Sequence, residues 1–204
     1  MMFDDTYKTI TELSEGIYKE KGSKFFSFAM PVKTEEEIKE KLAELRKTYF
    51  DARHHCYAYI LGFDKSAWRA NDDGEPSGTG GKPIYGQLLS HDLTNVLIVV
   101  IRYFGGVKLG VSGLINAYKT AAKNAIDNNK IIMLTIQEIY TVDFDYMQMN
   151  NIMKVLKDES VKIYEQNFDN QCQIKFSVRQ SKGMFITDQL SKISGSKIQF
   201  ISLS

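Results

Sequence analysis

The sequence predicts an α+β protein of two small domains, and three features of the 204-residue chain support this prediction. Alternating apolar residues predict antiparallel strands in the first part of the chain. Apolar residues at helical spacing predict an amphipathic helix over 35–49 and a longer one that begins after Gly110. Beyond Lys130 the element order becomes β-α-β-β-α-β, the split βαβ or ferredoxin-like arrangement. We therefore expect domains at 1–130 and 131–204.

The first predicted domain mixes strands with three helices. The predicted strands are 7–13, 17–32, 55–61 and 95–103, with turn signals at 14–16 and 21–23. The predicted helices are 35–49, 83–90 and 111–129. Thr34 and Glu37 have the spacing of a capping box, which predicts where the first helix begins. The segment 62–82 carries no helix or strand pattern, and loops of that length in compact domains are often functional.

The second predicted domain follows the split βαβ order. Its predicted strands are 131–144, 161–168, 172–178 and 197–203, and its predicted helices are 146–157 and 182–194. The turn Asp169-Asn170 is expected to join the two middle strands. A domain of this size buries only a modest core and is expected to be marginally stable alone.

Composition and charge exclude several classes of protein. Apolar residues make up 43% of the chain and charged residues 25%, which is ordinary for a globular protein and argues against disorder. The net charge is +1 and is spread evenly along the chain, so contact with nucleic acid would need a local basic patch. The N-terminus lacks a signal-peptide pattern, and the longest apolar run, Val96–Ile101, is far shorter than the ~20 residues of a membrane span. We expect a cytoplasmic protein with no membrane contact.

A glycine-rich loop, Asn71–Pro83, is the first candidate site. Successive backbone N–H groups in such a loop can cradle an anion, and a helix N-terminus adds positive potential. The alternative is a tight structural loop, since Lys82 is followed by Pro83 and the phosphate-loop pattern is absent. The candidate anion-binding or RNA-binding residues are Gly78, Thr79, Gly80, Gly81 and Lys82.

The second candidate runs from the end of a buried strand into a helix, where ligands of α/β units often bind. Its candidate residues are Arg102, Gly105, Gly106, Lys108 and Ser112, with Ser112 expected at or near the helix cap. The alternative is that the glycines allow a sharp turn while Arg102 pairs with a carboxylate. Tyr103 and Phe104 beside these basic residues could stack on bases, or could belong to the core.

Acidic and histidine side chains form the third candidate: His54, Asp72, Asp73 and Glu75. They could bind a hard cation or act as acid and base, but acidic residues in turns are more often solvated or bonded to their own backbone. A zinc site is not expected, because the chain has only three histidines, and its two cysteines, Cys56 and Cys172, fall in different predicted domains. We expect the cysteines to be buried free thiols. The sequence therefore predicts no metal, no cofactor and no assigned catalytic residue.

Four segments in order give the chain a resemblance to the YigZ/IMPACT family. They are 21–25 (KGSKF), 52–59 (ARHHCYAY), 72–83 (DDGEPSGTGGKP) and 102–110 (RYFGGVKLG). Each segment is short, but their order and length make the combination specific over about residues 15–130. The remainder matches as the smaller domain expected of bacterial members.

The resemblance implies both fold and function. The N-terminal domain would look like the fourth domain of elongation factor G, a ribosomal-protein-like α+β fold, and the C-terminal domain like that factor's fifth domain. It implies a translation-associated regulator that contacts RNA, the ribosome or a translation-regulating protein. The rivals are an enzyme that holds a phosphorylated small molecule between the two glycine loops, and a structural partner with no anion site. An enzyme would gather the acidic loop, His54 and Arg102 around one pocket.

Overall fold

A computed structural model describes residues 5–157, 161–168 and 172–204, and shows an α+β chain of two compact units. The first unit is Tyr7–Met133, and the second is Leu134–Ser204 together with the described part of Met1–Thr6. The domain boundaries predicted from the sequence, 1–130 and 131–204, remain a prediction.

The first six strands are β1 (Thr6–Ile10), β2 (Ser14–Glu20), β3 (Ser23–Pro31), β4 (His54–Leu61), β5 (Ala67–Asn71) and β6 (Val96–Tyr103). Strands β2 to β6 form a five-stranded antiparallel sheet at the centre of the first unit, in the order β2-β3-β6-β4-β5. The helices are α1 (Glu35–Thr48), α2 (Gly81–Ser90) and α3 (Gly110–Asp127). Strand β1 pairs instead with β7 (Ile131–Thr135).

A hydrophobic core covers each face of this sheet, and successive side chains of β4 point alternately into the two cores. Cys56, Ala58 and Ile60 face the cluster that contains α2 and α3, while Tyr57 and Tyr59 face the cluster that contains α1. Strand β6 lies between β3 and β4 and is buried along nearly all its length, as its apolar run predicts. Thr34 caps α1 by accepting from the Glu37 N–H at 3.2 Å, so the predicted helix start is confirmed.

Three local predictions for the first 144 residues are wrong. The segment 62–82 contains β5, an exposed edge strand without the alternation that marks a half-buried strand. The turn expected at 14–16 is the beginning of β2, where Gly16 lets α3 approach so closely that a Cβ would lie 2.6 Å from the Ala125 nitrogen. The strand expected over 131–144 is two strands, β7 and β8 (Gln137–Phe144), separated at Ile136, whose N–H donates to the Asp5 carbonyl.

The second unit contains a four-stranded antiparallel sheet in the order β11-β8-β10-β9, the order of a split βαβ arrangement. Its remaining elements are α4 (Met149–Leu156), β9 (Val161–Asn167), β10 (Cys172–Arg179), α5 (Gln180–Ser191) and β11 (Lys197–Leu203). The predicted turn Asp169-Asn170 lies outside the described residues. The buried Asp5 carboxylate accepts two hydrogen bonds from Arg179, both at 2.7 Å. None of the described helices is both long and apolar enough to span a bilayer.

Candidate functional site

A cleft of about 890 Å³ opens in the first unit where β6 ends and α3 begins. It is lined by Asp51, Arg53, His54, Glu75, Pro76, Arg102, Tyr103, Phe104, Lys108, Leu109, Gly110, Val111 and Leu114. Both predicted glycine loops contribute to this lining, the first through Glu75 and Pro76 and the second through residues 102–104 and 108–110. The sequence-predicted residues that reach the cleft are therefore His54, Glu75, Arg102 and Lys108.

A buried ion pair forms the floor of the cleft. The Arg102 Nη1 donates to Glu75 Oε1 at 2.6 Å, and the side chains are 8% and 3% exposed. The Tyr118 hydroxyl, from within α3, donates to the same oxygen at 2.8 Å. Burial raises the pKa of Tyr118 far above its usual value, so this hydroxyl stays protonated as a donor. The alternative in which Arg102 pairs with a carboxylate is the one observed, and Arg102 is no free cation.

Aromatic rings hold the Arg102 guanidinium from two sides. Its Cζ lies 5.5 Å from the centre of the buried Phe25 ring and 5.6 Å from that of Phe104, which is 58% exposed. The Arg102 Nε is buried and has no hydrogen-bond partner among the described residues. Glu75 and the two rings thus fix the guanidinium, which covers one face of Phe104, while more than half of the Phe104 surface stays exposed.

The anion cradle predicted in the first loop is already filled by Asp72. Its carboxylate accepts from the N–H groups of Gly78, Gly80 and Gly81 at 2.8–2.9 Å. Burial alone would raise the pKa of Asp72, but these three hydrogen bonds outweigh it and hold that pKa below its usual value. Because Gly81 begins α2, Asp72 also caps that helix. In this structure these three N–H groups are therefore already bonded within the loop.

The other two candidates of that loop also lack access to the cleft. The Thr79 hydroxyl is buried and donates to the Pro76 carbonyl at 2.6 Å. Lys82 is exposed on the first turn of α2 and is not among the residues that line the cleft. Packing explains Gly80, since a Cβ there would lie 2.6 Å from the Cys56 sulfur, whereas Gly78 has a left-handed φ of 76°.

Asp73 is held by structural contacts rather than turned toward a ligand. Its carboxylate accepts from Arg46 Nη2 at 2.8 Å and from the His55 backbone N–H at 2.7 Å. Burial raises its pKa, but the hydrogen bonds from Arg46 and His55 and the nearby Arg46 charge together outweigh burial and leave that pKa below its usual value. The Asp73 carbonyl lies 2.9 Å from His54 Nδ1. Since a carbonyl can only accept, Nδ1 carries the proton, and in the neutral ring Nε2 is the free acceptor.

The predicted acidic cluster does not form a metal site. Asp72, Asp73 and Glu75 each have separate partners, and the part of the chain that the structure describes holds no group of three or more metal-ligating side chains. Burial raises the pKa of the Cys56 thiol, whose sulfur donates to the Asp72 carbonyl at 2.9 Å. A buried thiol that stays protonated is a poor nucleophile.

The second loop has glycines with two different roles. A Cβ at Gly105 would lie 1.9 Å from the Gly22 carbonyl carbon, so Gly105 permits close contact with the β2–β3 turn. Gly106 has a left-handed φ of 88° with open space around it. Helix α3 begins at Gly110 with Leu109 as its N-cap and no side-chain cap. Ser112 is therefore an exposed residue in the first turn, near the cap as predicted, and it is not the N-cap itself.

The free positive charges of the cleft are Arg53 and Lys108. Both are exposed, and neither forms an ion pair or a hydrogen bond with any residue in the described ranges. The acidic Asp51 accepts from the Tyr103 hydroxyl at 2.6 Å. With Glu75 neutralised by Arg102, the cleft combines two free cations with the uncapped N-terminus of α3.

Sequence reasoning did not single out Arg53 or Asp51. Arg53 lies next to His54 in one of the segments that carry the resemblance, and this position could have indicated that Arg53 belongs to the site. Tyr118 lies within the predicted helix 111–129, and an apolar pattern does not show where its hydroxyl points.

Comparison with known proteins supports the resemblance seen in the sequence. The protein-family model of the Impact N-terminal domain matches residues 21–126 of this chain. The chain is 29% identical to IMPACT family member YvyE of Bacillus subtilis (strain 168), over 94% of this chain and 88% of that protein. It is also 29% identical to IMPACT family member YigZ of Escherichia coli (strain K12), over 90% of this chain and 91% of that protein.

A crystal structure of a protein described as hypothetical has the same overall fold, with a TM-score of 0.73 and 26% identity over 97% of this chain and 98% of that one. The matched N-terminal domain spans more than half of the chain and includes the whole cleft. The predicted family is thus confirmed, and the chain belongs to the IMPACT family.

Proposed function

We propose that this protein is a translation-associated RNA-binding protein that contacts RNA or the ribosome through the cleft. One observation supports this most directly. Two exposed cations that have no partner among the described residues, Arg53 and Lys108, line the cleft with an exposed aromatic ring, Phe104, at the start of a helix without a side-chain cap. Cations and helix N-termini bind phosphates, and exposed rings stack on bases.

The expected likeness to elongation factor G is part of the same proposal. The split βαβ order of the second unit agrees with a domain like that factor's fifth, and the two-faced α+β sheet of the first unit with one like its fourth. A protein built on such a pair would have a reason to touch ribosomal RNA. A near-neutral net charge of +1 implies that few phosphates are contacted.

The test is a ribosome and RNA pelleting titration at several salt concentrations with the full chain. Each phosphate contact on RNA contributes roughly 0.7–0.9 to the slope of log K against log salt. Removing both cations in Arg53→Ala/Lys108→Ala should therefore reduce the slope by about 1.4–1.8 and weaken binding to all sequences alike.

The matched control is Lys82→Ala/Lys123→Ala, which removes the same charge outside the cleft. Lys123 lies near the end of α3, where it pairs with Asp127. Wild type that stays in the supernatant at ~50 mM salt, or a control that behaves like the cleft variant, would rule out this function.

The second candidate is an enzyme that acts on a phosphorylated small molecule. It is favoured by His54, whose ring lines the cleft with Nδ1 held by the Asp73 carbonyl, leaving Nε2 as the candidate base. Arg53 and Lys108 would hold the phosphate. Phosphate release from a panel of phosphate esters and nucleotides, abolished in His54→Asn with Tyr57→Phe unaffected, would support it. Absence of turnover across the panel would exclude it in favour of binding.

A further inference from the structure

A second hollow lies directly beside the cleft and shares part of its wall. It has a volume of about 460 Å³, and its lining consists of Gly22, Lys24, Phe26, Tyr49, Asp51, Tyr103 and Phe104. Asp51, Tyr103 and Phe104 line both depressions. The Tyr103–Asp51 hydrogen bond thus stands between them, and a ligand that fills the cleft can reach the hollow past Phe104.

The hollow is walled by aromatic rings that are fixed by their own packing. The rings of Phe26 and Tyr49 are stacked at 6.2 Å and 26°. The ring of Tyr103 meets Phe26 edge-on at 5.9 Å and 88°. These three rings are partly buried against the core cluster under α1, whereas Phe104 is 58% exposed. A flat aromatic ligand would meet preorganised walls and would order only the Phe104 side chain on binding.

Unpaired cations flank this aromatic surface on both sides. Lys24 lines the hollow, and Arg53 and Lys108 line the cleft. All three are exposed, and none has an ion pair or hydrogen bond with another described residue. The one carboxylate on the dividing wall, Asp51, is occupied by the Tyr103 hydroxyl. The arrangement places aromatic side chains between positive charges, which matches a base between backbone phosphates.

We infer that the hollow receives an unpaired base and that the site therefore selects single-stranded over duplex RNA, an inference that rests on the proposed function. In a duplex the bases are stacked inside the helix and their faces are covered. Only an unstacked base offers a face to Phe104 and an edge to the hollow. An acidic peptide would satisfy the cations but would leave the ring walls without a planar partner.

The experiment measures fluorescence anisotropy of the full chain with four labelled 12-residue probes. These are a single-stranded uridine RNA, an abasic strand of the same charge, an RNA duplex and a poly-glutamate peptide. Stacking of one base should make the uridine strand bind about 5- to 150-fold tighter than the abasic strand. The duplex and the peptide should bind no better than the abasic strand.

The matched variants are Phe104→Leu, which keeps an apolar side chain without a ring, and Phe104→Trp, which keeps a ring. Phe104→Leu should weaken the uridine strand toward the abasic value and leave the abasic strand unchanged, and Phe104→Trp should retain tight binding. Because the abasic comparison uses wild type alone, the test holds even if a variant misfolds.

The outcomes separate this inference from the proposed function. Salt-sensitive binding of all the nucleic-acid probes, with no preference for bases, would overturn the inference and leave RNA binding standing. Binding of none of them and no ribosome pelleting would overturn both. Poly-glutamate that binds as tightly as the uridine strand would assign the site to an acidic protein segment instead.

Discussion

The buried Glu75–Arg102 pair makes a measurable prediction about stability. Replacing Glu75 with alanine removes the acceptor shared by Arg102 and the Tyr118 hydroxyl, and both donors lie in a site where water has little access. Loss of one partner from a buried ion pair costs about 3–5 kcal/mol, because the remaining charge stays buried without compensation. Tyr118→Phe keeps the ring against Phe25 and loses one hydrogen bond, so it should cost about 1–2 kcal/mol.

Urea unfolding of the full chain, followed by tryptophan fluorescence, provides the assay. The chain has a single tryptophan, Trp68, on β5 and stacked on Tyr85 at 4.6 Å, so the signal reports the first unit. With an m-value of about 2 kcal/mol per molar, a loss of 3–5 kcal/mol lowers the midpoint by roughly 1.5–2.5 M. An exposed pair provides the control: Asp127→Asn, beside Lys123, should change stability by no more than about 0.5 kcal/mol.

A double variant checks the reasoning independently. Arg102→Met alone leaves the Glu75 carboxylate buried and should also cost about 3–5 kcal/mol. Glu75→Ala/Arg102→Met removes both charges, so its cost should be well below the sum of the single costs. Single variants that each cost less than about 1 kcal/mol, or costs that simply add, would show that the pair is not a coupled buried unit.

Two further predictions concern backbone packing and pH. Gly105→Ala should destabilise the first unit by more than Gly106→Ala, because a Cβ at Gly105 would lie 1.9 Å from backbone. At Gly106 the space is open, and the cost of about 1–2 kcal/mol comes from placing an alanine at a positive φ. Equal urea midpoints for the two variants would contradict this. The Arg179 hydrogen bonds hold the pKa of Asp5 well below its usual range, so this carboxylate stabilises the second unit above about pH 4, and the effect is lost as pH falls toward the folded-state pKa. Asp5→Asn should therefore melt earlier than wild type at pH 7 in circular dichroism, and the difference should narrow by about pH 3.

Strong periodicity made most of the fold predictable from the sequence. Helix α1 carries a capping box and a regular apolar stripe, and β6 is an apolar run too short for anything but a buried strand. Strand β5 was not predictable in this way. Its residues are mostly exposed and it exists through its backbone pairing with β4, which leaves no alternation in the sequence.

The candidate site was predictable only in part. Both glycine-rich loops contribute residues to one cleft, but none of the candidate glycines lines it. Whether the loop N–H groups of Gly78 and Gly80 face a ligand or Asp72 depends on the path of the backbone between them, and no residue pattern encodes that path. For Arg102 the sequence left open whether the side chain binds an anion or pairs with a carboxylate. The structure shows the pairing, with Glu75, which lies 27 positions earlier in the chain.

The Asp72 carboxylate in the glycine loop has a consequence for competition by ions in the cell. Asp72 lies only six to nine positions from the N–H groups that it binds and is held in hydrogen-bonding geometry, so its effective concentration at those donors exceeds that of a freely diffusing anion. An outside anion must displace a ligand that never diffuses away. We expect the loop to keep one conformation across changes in phosphate and nucleotide supply, while the neighbouring cleft remains free to exchange its ligand.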